Sequence, residues 1–423
     1  MSIPGSRTAD LRPRLREYES RNVTYLGDDF PVFWESADGA TVTDVDGNCY
    51  IDCAAAFGVA NVGHSNPRVV AAISEQARRL IHGMGDVHPT AVRVQLFERL
   101  RSILPRTLER GLFASSGSEA IEAALKTAML VTGKSRFAAY RGGYHGLSFG
   151  ALAVAGIERF RSPFAAALGA GPILLEYPRA GRQTARAAAG AAVRLLRAQD
   201  DVAALVIEPI QGRAGCIVPP LGYLAALRSM CDELGIVMIV DEIFTGFGRT
   251  GAWFAVDRES VVPDILCLGK AMTSGLPMSA AIGRAPIMDA WPVSTGEALH
   301  TSTHLGNPLG CAAAIATIDE LERLELPARA ARLGKEVGSR LESFRALPSV
   351  ADVRGCGLLW AVELRHAEIA ARVVKRALAG GLIVLQSGTE GESVTIAPPL
   401  VIGDDQMDRA LDILESLITQ TSA

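Results

Sequence analysis

Several functional classes are excluded by what this 423-residue chain lacks. It has no block of basic residues. With 46 acidic and 42 basic side chains it carries a net charge of −4, so neither nucleic acid nor an anionic membrane is an expected partner. No apolar run approaches the ~18 residues of a membrane span. The first 22 residues are polar and charged, so the expected location is the cytoplasm. Seven scattered cysteines, with no paired spacing beyond Cys49 and Cys53, fit reduced thiols and give no zinc pattern and no other metal site. Lysine is scarce beside arginine, a bias read as genomic. At 49% hydrophobic, the chain can bury one large core and a smaller second one.

What is present begins with two strand-like segments. Residues 236–241, Ile-Val-Met-Ile-Val-Asp, form an apolar run ending in an acid, as a buried strand does when its last side chain emerges at a sheet's carboxyl edge. Ligands of open α/β sheets bind at that edge. Residues 264–270, Asp-Ile-Leu-Cys-Leu-Gly-Lys, repeat the design, and Lys270 follows Asp241 by 29 positions. A carboxylate beside a desolvated lysine suits pyridoxal phosphate chemistry: the amine forms a Schiff base and the acid keeps the pyridine nitrogen protonated. An acid and a lysine at strand ends also occur in most α/β proteins.

Three further segments point the same way. Residues 115–126 pass from a Ser-Ser-Gly-Ser turn into a helix rich in Ala, Leu and Glu, so the N–H groups of Gly117 and Ser118 lie where a phosphate binds; a plain serine cap reads equally well there. Residues 140–146, Tyr-Arg-Gly-Gly-Tyr-His-Gly, place an aromatic ring on a glycine-loosened loop, suited to a flat cofactor or to plugging a surface. Glu208, in Glu-Pro-Ile-Gln-Gly, ends another apolar strand at the same edge.

In this order the segments resemble the class III aminotransferases of the ornithine and ω-amino acid type. The core of the resemblance is residues 241–251, Asp-Glu-Ile-Phe-Thr-Gly-Phe-Gly-Arg-Thr-Gly, with Gly269-Lys270, and it extends from residues 45–52 to residues 397–402. It implies an α/β protein of fold type I, with a large, mostly parallel α/β/α sheet domain and a smaller α+β domain from both termini. It further implies pyridoxal 5'-phosphate as cofactor, small amines and keto or aldehyde compounds as substrates, and a homodimer with shared sites. By the same resemblance Lys270 is the Schiff-base lysine and proton shuttle, Asp241 the pyridinium partner, and Gly117 and Ser118 the phosphate cradle. Tyr144 stacks on the ring, Ile243 packs beneath it, Glu208 belongs to the cofactor shell, and Thr303 reaches a phosphate in the partner's site.

The departures from the family pattern bear on substrate. Many members have a glutamate after Gln-Gly and an arginine three places before the Pro-Pro pair, the arginine binding an α-carboxylate. Here those positions hold Arg213 and Thr395. Losing one of the two would strand a buried charge at several kcal/mol, whereas losing both leaves no orphan. The usual arginine after the aromatic-His-Gly loop is Leu147 and the usual glutamine is Phe244, while Phe57 adds an apolar wall. Two readings follow: a substrate whose amine-bearing carbon has no carboxylate, such as an amino sugar or another primary amine, or a carboxylate clamp relocated to Arg213. The motifs also leave open the racemase, epimerase and lyase outcomes of related enzymes. His145 is expected to be structural rather than a second acid.

Residues 1–64 are expected to form an N-terminal arm and part of the small domain, 65–310 the large domain, and 311–423 the rest of the small domain. Helices are expected near 183–200 and 221–234. The G-x-G-x-x-G spacing of residues 246–251 raises a remote alternative, a dinucleotide-binding oxidoreductase. Its context fails, because the residues that follow are too few before Pro263 to make the long helix such a unit needs.

Overall fold

A computed structural model describes residues 4–24 and 30–421. Its centre is a seven-stranded sheet that runs, edge to edge, Arg110–Ala114, Ser279–Gly283, Ile265–Leu268, Val237–Asp241, Val202–Ile207, Arg136–Tyr140 and Ile173–Leu175. Only Ser279–Gly283 runs against its neighbours. The inner strands are continuous apolar runs, fully buried along Val202–Ile207 and Val237–Asp241. That pattern belongs to a parallel sheet covered on both faces.

Because the one reversed strand lies between two others, Arg110–Ala114 points the same way as the parallel strands and ends at the same edge. It delivers the helix Gly117–Thr132 there, opened by the Ser116 side chain on the Glu119 N–H at 3.3 Å and closed by Gly133 at φ 66°. The expected helices appear as Ala185–Arg197 and Tyr223–Leu234, trimmed at their starts by Thr184, which caps the Ala187 N–H, and by Gly222 at φ 88°.

Two smaller sheets flank this body. Strands Trp34–Asp38, Thr41–Asp44 and Cys49–Asp52 form an antiparallel set, and Leu382–Ile383 from the far end of the chain adds in parallel. The other sheet is built from the hairpin Val350–Cys356 and Leu359–Leu364, then Ser393–Ile396 and Leu385–Ser387. Pro308–Arg323 is one helix that runs through position 310 and packs on Pro67–Arg79 and Ala91–Ile103. After Gly251 the chain forms only a short 3₁₀ turn, Ala255–Glu259. Gly248 and Gly251, at φ 89° and 91°, pack closely against Leu400 and Ala331 instead of opening a helix.

Candidate active site

Three adjacent strands bring the principal groups together. Ile207 pairs with Val240 and Asp241 with Cys267, so Glu208, Asp241 and, three residues past Cys267, Lys270 gather at one carboxyl edge. Asp241 is 5% exposed. One of its oxygens accepts the Ile243 N–H at 3.0 Å and the other lies 2.8 Å from His145 Nδ1. Burial opposes the imidazolium form of His145, but Asp241, helped by Glu208, outweighs it and raises the pKa. Glu208 accepts the N–H groups of Tyr144 at 2.8 Å and Gly212 at 3.1 Å, tying two loops to one carboxylate. Burial pushes its carboxyl up to about 7, against His145 and those two N–H groups, with Asp241 adding to the rise.

Lys270 sits in the left-handed region at φ 44°, a conformation that costs a non-glycine residue roughly 1–3 kcal/mol and gathers at functional sites. Burial lowers the pKa of its amine, opposed by Asp241 and Glu208, which favours a neutral nucleophile. Its Nζ lies 4.5 Å from the centre of the Phe244 ring. That ring is held edge-on between two glycines. A Cβ on Gly212 would fall 2.2 Å from one ring edge and a Cβ on Gly58 2.3 Å from the other.

Gly58 closes a left-handed turn in which Ala55, Ala56 and Phe57 have φ of 46°, 48° and 63°. L-residues avoid three such steps in a row. Asp52 anchors this turn by accepting the Ala54 N–H at 2.7 Å and the Ala56 N–H at 3.2 Å, and is itself held by His64 Nε2 at 2.7 Å. Phe57 is thereby left 68% exposed.

The sequence profile described as aminotransferase class-III matches residues 24–418. The putrescine aminotransferase of Pectobacterium atrosepticum is 38% identical over 418 residues, which are 96% of this chain and 87% of that protein. The chain belongs to the class-III aminotransferase family. Among solved structures, an amine transaminase from an uncultivated Pseudomonas species with pyridoxal phosphate bound is 31% identical with a TM-score of 0.87, over 95% of this chain and 99% of that one. The ornithine aminotransferase of Toxoplasma gondii is also 31% identical with a TM-score of 0.87, over 97% and 94%. This aminotransferase is therefore a pyridoxal phosphate-dependent transaminase, and the racemase, lyase and oxidoreductase outcomes are set aside.

The residues at the sheet edge fit that cofactor. In the first turn of Gly117–Thr132 the Glu119 N–H is taken by Ser116 Oγ and the Ala120 N–H by the Ser116 carbonyl, which leaves those of Gly117 and Ser118 for an anion. A Cβ on Gly146 would fall 1.9 Å from Ser118 Oγ, so the loop carrying Tyr144 closes directly on this helix start. The Ile243 side chain touches both Gly117 and Gly269, joining the helix start to the lysine strand.

The remaining expected residues lie at different depths. Tyr144 is half-buried, edge-on to Phe160 at 5.8 Å. Thr395 is 2% exposed and its hydroxyl lies 2.6 Å from Ser387 Oγ and 3.8 Å from Cys216 Sγ. Arg213 reaches the same hairpin, donating to the Gly388 carbonyl at 3.1 Å. Thr303 is exposed, beside Thr301, which donates to Asp86 at 2.8 Å. His145, expected to be structural, is the imidazole on Asp241; its His-Gly motif was visible, but its partner 96 positions away was not.

Proposed function

We propose that this aminotransferase takes its amino group from a primary amine whose amine-bearing carbon carries no carboxylate, and passes it to a keto or aldehyde acceptor. The observation that carries this reading is Thr395. It is buried and bonded to Ser387, so no cation stands at the position where many relatives clamp an α-carboxylate. The Pectobacterium relative is named for putrescine, a diamine without a carboxylate, which agrees.

Pyridoxal phosphate supplies an aldehyde that accepts the amino group and a ring that takes up the electrons of the broken C–H bond. In this reading the N–H groups of Gly117 and Ser118 hold its phosphate, Ile243 and Tyr144 enclose its ring, and Lys270 anchors it and carries the substrate's Cα proton. Asp241 keeps a proton on the ring nitrogen, positioned by His145, while Glu208 fixes the Tyr144 loop against the Gly212 turn. Phe244 and Phe57 narrow the substrate space above the lysine.

A homodimer belongs to the same reading. Leu80, Ile81, Met84, Val87 and Leu299 are 44–69% exposed in the single chain. They flank the segment that carries Thr303, and an apolar row of this kind is what a partner subunit covers. A cytoplasmic location is supported by seven free cysteines. The three-part division into residues 1–64, 65–310 and 311–423 is supported by the pairing of Leu382 with Ile51, which joins the two ends of the chain.

The test is a half-reaction screen: the cofactor-loaded protein is mixed with single amines and amino acids while the aldehyde-form absorbance is followed. Diamines and simple primary amines should discharge it faster than α-amino acids. Discharge by α-amino acids alone would overturn the reading.

A further inference from the structure

Arg213 is a half-buried cation with no acid bound to it. Its guanidinium donates to a neutral carbonyl, that of Gly388, and no carboxylate among the described residues lies within ion-pair distance. Glu392, on the same hairpin, accepts the Glu390 N–H at 2.9 Å instead. The pKa of Arg213 is lowered by burial first and by Arg159 second, with Tyr144 and Glu392 opposing.

Arg159 comes from the short helix Glu158–Arg161. Its guanidinium lies 4.9 Å from the centre of the Phe160 ring, which stands edge-on to Tyr144 at 5.8 Å, and it too is without a described ion pair. Tyr144, whose N–H is held by Glu208, thus lies near two guanidinium groups, those of Arg213 and the exposed Arg159, and neither is in an ion pair among the described residues. Like charges held this way repel, and a shared anion is what relieves them. Gly212, next to Arg213, abuts the Phe244 ring over the lysine amine, so this cationic face borders the reaction space.

We propose that Arg213 and Arg159 form a carboxylate-binding site beside Tyr144 that recognises the amino-group acceptor, an α-keto acid, rather than the amine donor. This rests on the proposed function, because the choice of acceptor over donor follows from a donor without a carboxylate. A diammonium donor gains nothing from two arginines, whereas a keto acid meets a planar donor fork.

The experiment uses the cofactor-loaded enzyme with putrescine as donor and pyruvate, 2-oxoglutarate or butanal as acceptor. Arg213→Ala should raise KM for the keto acids about ten- to a hundred-fold, the worth of a charge-assisted hydrogen bond, with kcat nearly kept. Arg159→Ala should act in the same direction and less strongly. Arg213→Lys should fall between wild type and Arg213→Ala, because it keeps the charge and loses the fork. The putrescine half-reaction and KM for butanal should stay within about two-fold. Unchanged keto-acid KM in Arg213→Ala overturns the proposal, as does an equal loss with butanal. Calorimetric titration of glutarate into wild type and Arg213→Ala separates the two ideas. Glutarate binding lost in the variant upholds the arginine site even if putrescine is not a donor, and equal binding removes the site while leaving the amine reading intact.

Discussion

His145 Nδ1 lies 2.8 Å from the Asp241 oxygen opposite the one that accepts the Ile243 N–H. Asp241 is therefore oriented from two sides, and it raises the pKa of the buried imidazole beside it. Replacing Asp241 by Asn preserves shape and removes the charge. The expected outcome is a folded, cofactor-binding protein whose kcat falls by about two orders of magnitude or more, the scale of losing a preorganised electrostatic group. Single-turnover rates beside the visible spectrum check it, and near-normal rates would take Asp241 out of the mechanism.

Lys270 is the desolvated amine at this edge, its pKa lowered by burial. Lys270→Ala should abolish turnover and still retain cofactor through the phosphate cradle at Gly117 and Ser118. Borohydride followed by peptide mapping should find the cofactor fixed to Lys270 in wild type and to no residue in the variant. Fixation at Lys126 or another lysine contradicts the assignment.

How much of this was legible follows from which contacts are local. Asp241, Lys270 and Glu208 could be placed because each ends an apolar run, and the parallel register then does the rest. Gly117 and Ser118 could be placed because a helix start is written in adjacent residues. The turn at Ala55, Ala56 and Phe57 could not. Alanine favours the right-handed helix, and the left-handed path is held by Asp52 and His64 through the folded chain. The same holds for Phe244, whose fit depends on Gly58 and Gly212 from two other segments. Arg213 was visible as a departure, but its lean on Gly388, 175 positions away, was not.

The glycine pair around Phe244 makes a packing prediction. Gly212→Ala would place its Cβ 2.2 Å from the ring, so the ring must shift toward Gly58, where the margin is equally absent. We expect a cost of about 1–3 kcal/mol, as for overpacked cores, together with a marked fall in kcat. Shortening the ring in Gly212→Ala/Phe244→Leu should recover most of the lost stability. Thermal melts of the three variants decide, and simple additivity of the two changes would show that the ring is not the neighbour that matters.

Glu242, the chain neighbour of Asp241, provides a pH test. Burial pushes its carboxyl up to about 7, against the Thr245 hydroxyl and the Ala255 and Val256 N–H groups, with Asp257 adding to the rise. The folded state therefore binds more protons than the unfolded one between the ordinary 4.5 and about 7. Stability is fullest below that window and is lost as pH rises through it, by at most ~1.4 kcal/mol per pH unit for this one group. Glu242→Gln should flatten the slope between pH 5 and 7 by up to that amount, whatever it does to absolute stability. Denaturant melts across the window measure the slope directly, and an unchanged slope would place the carboxyl's pKa near its ordinary value.

Thr303 gives the prediction about assembly. In the single chain it is exposed, on a segment beside Thr301 and Asp86, where an apolar row stands uncovered. If it completes a phosphate site in a second copy, each active site combines Lys270 of one subunit with the threonine of the other. Lys270→Ala chains then carry a good threonine and a dead lysine, and Thr303→Ala chains the reverse. Unfolding the two together and refolding them should create hybrid dimers in which one site has both groups intact. With random mixing, half the dimers are hybrids with one repaired site each, so the ceiling is about a quarter of wild-type activity. A threonine that served its own subunit would leave every mixed dimer as impaired as its parents. Sedimentation at the assay concentration must accompany the measurement, because activity that persists in a monomer at high dilution would remove the shared site altogether.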